Sequence, residues 1–228
     1  MKEPRWQCRR APITSQQDSC GEGVLLHRSR SDDDARDGRG QIRGQRAAEQ
    51  CLEAELGVVD DGSQDNTFSI VMDFMKKHDN IRYMRHTNRN ISLSKNAGII
   101  ASSGQYITFL DSDDRYKPDH ISIRYEFMQQ HPEIDMLEGG VTIIGNPYVR
   151  DIENFNQNIH LSKCHIGATF FGKREVFLKL NGYNKKVEYS EDSVFWKKAN
   201  QFFKLKKIDH PSYVYYRDTP GSVCNTIH

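Results

Sequence analysis

Three acidic groupings carry the chemistry of this 228-residue chain: Asp60-Asp61, Asp111-Ser112-Asp113-Asp114 and Glu191-Asp192. Asp111 and Asp113 stand two residues apart. In extended backbone their side chains leave the same face and can share one hard cation. That pair suits Mg²⁺ or Mn²⁺ bridging a diphosphate. A calcium loop would need Gly at its sixth position and Glu at its twelfth, where this chain has Tyr116 and Ser122. A phosphatase of the Asp-x-Asp-x-Thr type would need Thr where Arg115 stands, with Asp111 as nucleophile. The plain structural alternative is a solvated, helix-capping acidic turn, and for Glu191-Asp192 the acidic first turn of a helix. Two acidic turns at the ends of separate strands weigh against it, because ligands of open α/β sheets bind beyond the carboxyl ends of the strands.

The elements that must hold these groups are legible from Gly57 onward. Gly57-Val58-Val59 is a short apolar run ending in the turn cluster Asp60–Ser63. Asp65 or Asn66 can cap a helix whose stripe is Phe68, Val71, Met72 and Met75. Ile81–Met84 reads as a strand, and Ser92 or Ser94 opens a short helix through Ile100. Gln105–Leu110 is β-branched and aromatic, a strand buried on both faces. Pro118 suits the first position of a helix carrying Ile121, Tyr125 and Met128. Beyond it come strand-like Ile134–Ile144, a polar loop Pro147–Gln157, strand-like Ala168–Phe171, a helix over Glu191–Phe203 and strand-like Tyr213–Tyr216. This alternation predicts an α/β domain with a mainly parallel, mixed central sheet flanked by helices.

Residues 1–56 read differently. They hold nine Arg and one Lys, against eight Arg and fourteen Lys in 57–228, and Trp6 is their single aromatic residue. Neither a 2.0 nor a 3.6 apolar period is found before about Ala47, and such a stretch buries too little apolar surface to offset the entropy of ordering it. The expectation is an atypical segment, disordered or non-native (a shifted reading frame would account for the exchange of Lys for Arg), ahead of a domain over 57–228. Net charge is +1, which argues against a nucleic-acid binder. No apolar stretch reaches the roughly 18–20 residues that span a bilayer, and no signal peptide opens the chain. Five scattered cysteines without a Cys-x-x-Cys pair argue against a disulfide framework or structural zinc.

Five ordered blocks carry a family resemblance. Val58-Val59-Asp60-Asp61-Gly62-Ser63-Gln64-Asp65-Asn66-Thr67 resembles the Val-Asp-Asp-Gly-Ser-x-Asp-x-Thr signature of family 2 glycosyltransferases, which have the GT-A fold. Asn88-Arg89-Asn90 with Leu93–Gly98 is similar to that family's Asn-x-Gly…Ala-Arg-Asn-x-Gly segment, and Phe109–Asp114 to its metal-binding Asp-x-Asp. Asn181-Gly182-Tyr183 with Ser190-Glu191-Asp192 resembles the Gly-Gly-Phe…Glu-Asp block, and Tyr216-Arg217 with Ser222 the closing Tyr-Arg-x-His-x-x-Ser.

The resemblance implies roles. Asp60 and Asp61 would hydrogen-bond the base and ribose of a nucleotide. Lys95 would balance diphosphate charge where the family usually has Arg. Asp111 would face the ribose or the metal, and Asp113 would be the principal ligand of Mn²⁺ or Mg²⁺. Asp192 would be the general base, with Glu191 and His165 on the acceptor side, His165 as polar pocket lining. The reaction implied is inverting transfer from a nucleotide sugar, UDP-sugar first, to a saccharide or lipid-linked acceptor. The setting implied is polysaccharide assembly in the cytoplasm at the inner face of a bacterial membrane, with peripheral membrane association and a homo-oligomer among its partners. Two departures stand out. Nothing in residues 1–56 resembles the family's first strand and helix, and Thr219 replaces the expected His. A missing first strand leaves a second expectation open: a catalytically defective, nucleotide-sugar-binding fragment.

Overall fold

Parallel pairing dominates the first half of the chain. In the computed structural model, which describes residues 22–28, 54–87, 90–151, 154, 156–187 and 189–218, four strands run parallel. They are β1 (Glu22–Arg28), β2 (Ala54–Asp60), β3 (Ile81–Arg85) and β4 (Tyr106–Asp111). Parallel neighbours need a crossover. Helix α1 (Thr67–Met75) supplies it between β2 and β3, and α2 (Ile91–Ala101) carries the chain from β3 back past β2 and β1 to β4. The sheet continues past β4 through β10 (Phe171–Lys173), antiparallel to β4 and to β6 (Met136–Glu138), and ends on β11 (Leu205–Lys207), parallel to β6. The spatial order is β11-β6-β10-β4-β1-β2-β3. A second sheet joins β5 (Arg115–Tyr116), β12 (Tyr213–Tyr216) and β7 (Val141–Ile144), and a hairpin joins β8 (Tyr148–Arg150) to β9 (Asn158–His160). Helices α3 (His120–Gln130), α4 (Arg174–Lys179) and α5 (Glu191–Ala199) complete the set.

The expectation that no strand precedes Gly57 is corrected by β1. It pairs with β2 from Glu22↔Ala54 to Arg28↔Asp60, and with β4 from Glu22↔Tyr106 to His27↔Asp111. Its apolar run, Val24-Leu25-Leu26, is too short to show a period. A parallel strand flanked on both edges needs no alternation, so periodicity could not reveal it. β2 likewise starts earlier than expected, at Ala54. The remainder of 1–56, expected to be disordered or non-native, lies outside the described residues.

β4 anchors both cores, as its sequence predicts. Tyr106 and Leu110 pack with Leu56, Val71, Ile81 and Phe171, while Ile107 and Phe109 pack with Val59, Ile99, Phe177 and Phe195. Each such fully buried side chain contributes roughly 1.5–3 kcal/mol. Some predicted positions differ. Phe68 is 48% exposed and leans on Tyr83, and Phe202 is 69% exposed beyond the end of α5. Helix α2 is opened by Asn90, whose side chain accepts the Leu93 N–H at 2.9 Å, while Ser92 and Ser94 are buried inside it. Asn66 is the N-cap of α1 and makes no side-chain cap bond, while Asp65 just before it accepts the Thr67 N–H at 3.0 Å.

The run Ile134–Ile144 is two strands in two sheets. Gly139 (φ +93) and Gly140 (φ +70) break it in a left-handed backbone that L-residues resist. A Cβ on Gly140 would overlap the His210 carbonyl. Gly140→Ala is therefore expected to cost about 2 kcal/mol or more, read as a lower urea midpoint at unchanged slope. A midpoint equal to that of the unaltered chain would contradict this turn geometry.

Candidate active site

One strand end, one helix interior and one helix start converge here. The turn after β4 carries Asp111, Asp113 and Asp114, α2 carries Lys95, and the first turn of α5 carries Glu191 and Asp192. A cleft of about 360 Å³ brings Lys95, Asp111, Asp113, Glu191, Asp192 and His165 together. Ser190, at φ +61, turns the chain into the left-handed region just before α5.

Lys95 is the electrostatic centre. It is 1% exposed, and its Nζ lies 2.9 Å from both Glu191 Oε1 and Asp192 Oδ1, with the Tyr183 ring 4.9 Å away. Burial alone would lower this ammonium, but Asp192 and Glu191 outweigh it and hold it well above the usual lysine range. Asp192 Oδ2 also accepts the Gly167 N–H at 2.8 Å. A Cβ on Gly167 would overlap that carboxylate, so the close approach requires glycine. Burial, then Glu191, pushes the Asp192 carboxyl up to about 6 against the pull of Lys95.

Asp111 is pushed up to about 7, by burial first and by Asp113 among its neighbours, with Lys95 opposing. Its Oδ1 is buried without a hydrogen-bond partner. Asp114 behaves differently: it accepts the Tyr213 O–H at 2.6 Å and the Tyr216 N–H at 2.8 Å, tying the acidic turn to β12. The Asp111 N–H in turn donates to the Tyr213 hydroxyl at 3.4 Å. Among the described residues no group of three or more His, Cys, Asp or Glu is arranged to hold a metal. The orphaned Asp111 oxygen beside Asp113 nonetheless fits a hard cation that takes its other ligands from phosphate and water.

Asp60 and Asp61 sit at the end of β2 and do not line this cleft. Asp60, 1% exposed, accepts the Ser63 N–H at 2.7 Å and the Tyr83 O–H at 2.5 Å. Burial, then Asp60, raises the Tyr83 phenol. Asp61 accepts the Asn90 N–H at 2.8 Å and faces His86 Nδ1 at 3.0 Å. His165 pairs with Glu138. Sequence reasoning missed Glu138, Gly167 and the Asp114–Tyr213 link, all defined by contacts between segments far apart in the chain. Asn88, Arg89, Thr219 and Ser222 lie outside the described residues.

The description "Glycosyl transferase family 2" matches residues 45–179, more than half of the chain. The chain belongs to that family. Its family 2 relatives include glycosyltransferase GlyA of Streptococcus pneumoniae, 30% identical over 52% of this chain and 16% of GlyA. An uncharacterised glycosyltransferase of Mycoplasma genitalium is 27% identical over 78% of this chain and 62% of its own. The minor teichoic acid biosynthesis protein GgaA of Bacillus subtilis is 28% identical over 62% and 35%. The chain thus spans less than two thirds of each of these relatives. Among solved structures, S. aureus TarS 1–349 in complex with UDP has a TM-score of 0.67 at 15% identity, covering 86% of this chain and 60% of that one. Mannosyltransferase PcManGT from Pyrobaculum calidifontis, in complex with GDP-Man and Mn²⁺, gives 0.62 at 17% identity, over 90% and 58%. These likenesses show the GT-A glycosyltransferase fold that the family 2 resemblance implied. No helix among the described residues is long and apolar enough to cross a membrane.

Proposed function

We propose that this domain, 57–228 together with β1, transfers a sugar from a nucleoside-diphosphate donor, UDP-sugar first, to the hydroxyl of a saccharide or lipid-linked acceptor, with inversion at the anomeric carbon. The observation that carries this is Asp192: a carboxylate pushed up to about 6, oriented by Lys95 and the Gly167 N–H, in the same cleft as Asp111 and Asp113. Asp192 takes the proton of the attacking hydroxyl as general base. Glu191, sharing Lys95 with it, shapes the acceptor side, where His165 also contacts the acceptor. Asp60 and Asp61 bind the nucleoside, and Lys95 adds positive charge facing the diphosphate. Asp113 and Asp111 would hold Mn²⁺ or Mg²⁺, which offsets the charge on the departing nucleoside diphosphate. Neighbours solved with UDP and with GDP-Man and Mn²⁺ support the donor class and the metal. The binding-only reading rested on a missing first strand, a position that β1 occupies.

Calorimetry of UDP tests the assignment. Mn²⁺ is expected to tighten UDP binding at least about tenfold, roughly 1.4 kcal/mol, and Asp113→Ala to abolish that gain. Equal affinity with and without the metal would remove Asp111 and Asp113 as its ligands.

A further inference from the structure

The loop that gives its Gly167 N–H to Asp192 also carries His165, a ring fixed from two directions. Its Nδ1 lies 2.7 Å from Glu138 Oε2, and the Trp196 indole stacks on it at 5.1 Å between centroids and 23° between planes. Glu138 is 1% exposed, at the end of β6, and its Oε1 lies 3.0 Å from Lys207 Nζ on β11. A carboxylate buried so deeply needs partners on both oxygens. His165 meets Oε2 at hydrogen-bond distance and the Lys207 ammonium faces Oε1 as an ion pair, from two different segments. A proton at Nδ1 facing the Glu138 carboxylate would leave the lone pair of a neutral ring at Nε2. His165 lines the cleft that holds Asp192 and Asp111, so its ring belongs to the site.

We propose that Glu138 is a positioning residue that locks His165 as a hydrogen-bond acceptor, through Nε2, for a hydroxyl of the sugar acceptor. The inference rests on the glycosyl-transfer reading above and adds to it a specificity determinant for neutral, hydroxyl-bearing acceptors. The hydroxyl on His165 keeps its proton, whereas the neighbouring hydroxyl that attacks gives its proton to Asp192. Trp196 stacks on the imidazole and holds its plane, and the Lys207 ammonium lies against the far oxygen of Glu138.

The test uses the full chain with ¹⁵N-labelled histidine, UDP-N-acetylglucosamine as donor, and octyl glucoside, galactoside and N-acetylglucosaminide as acceptor probes. His165 is expected to show a protonated Nδ1 and a bare Nε2, with the Nε2 resonance moving as at least one glycoside is added. Glu138→Gln, whose amide can donate to Nδ1 as well as accept, should redistribute the tautomers. It should raise the glycoside KM about five- to tenfold, the loss acting through KM rather than kcat. His165→Gln, which keeps an oxygen acceptor in place of Nε2, should recover part of the affinity that His165→Phe loses. A protonated Nε2 in the unaltered chain, or an Nε2 resonance that none of the three glycosides moves, overturns the proposal. If donor hydrolysis that Asp192→Asn abolishes persists in that case, the transfer reading stands without it. A chain that neither binds nor hydrolyses a UDP-sugar takes both down.

Discussion

Asp192→Asn is expected to lower the rate of sugar transfer by about 10²–10⁴-fold, the range a positioned general base contributes. The asparagine keeps the side chain's shape and one oxygen for either the Gly167 N–H or Lys95, which Asp192 meets with its two, so the loss should fall on kcat rather than on donor binding. The unaltered chain supplies a second readout. A base works only when ionised, and burial pushes Asp192 up to about 6. Activity should therefore rise as pH rises through 6 and fall away below it. A rate within tenfold of the unaltered chain's in Asp192→Asn, or a profile flat from pH 5 to 7, would mean that another group takes the proton.

Lys95→Met is expected to be the most destabilising single change in the site, by about 3–5 kcal/mol at pH 8. It strands Glu191 and Asp192 as buried carboxylates without their shared cation. The sign follows from the direction of the carboxyl shift. Asp192 is already raised in the folded state, so between the ordinary carboxylate range and about 6 the folded chain binds more protons than the unfolded one. Stability carried by that protonation is present at low pH and is lost as pH rises through about 6. Removing Lys95 drives Asp192 further up and widens the window. The deficit should then shrink when unfolding is measured at pH 5 instead of pH 8. A deficit of the same size at both values would show that Lys95 acts through packing alone.

What sequence revealed of this site is what local spacing can encode. The strand-end positions of Asp60 and Asp111 were legible because each closes an apolar run, and the structure ends β2 and β4 on them, although only Asp111 lines the cleft. Glu191 and Asp192 opened a helix as expected. The environment of Lys95 was not legible. Its ion pairs join residues 96 and 97 positions apart, and no periodicity links them. Glu138 was hidden for the same reason, at the end of a run read as one strand until Gly139 and Gly140 divide it. Phe68 and Phe202 fit helical stripes, yet they lie where the core does not reach, because a stripe specifies a face and not how far burial extends along it.

β1 also serves as a spacer. Asp60 ends the strand on one side of it and Asp111 the strand on the other. Neighbouring strands lie about 4.8 Å apart, so one intervening strand sets the backbones of β2 and β4 about 10 Å apart in the plane of the sheet. That gauge depends on main-chain pairing and on an apolar middle, not on which side chains β1 carries. A segment that shares no motif with the family can therefore hold the ends of β2 and β4 at a fixed separation, because main-chain pairing sets the distance across it.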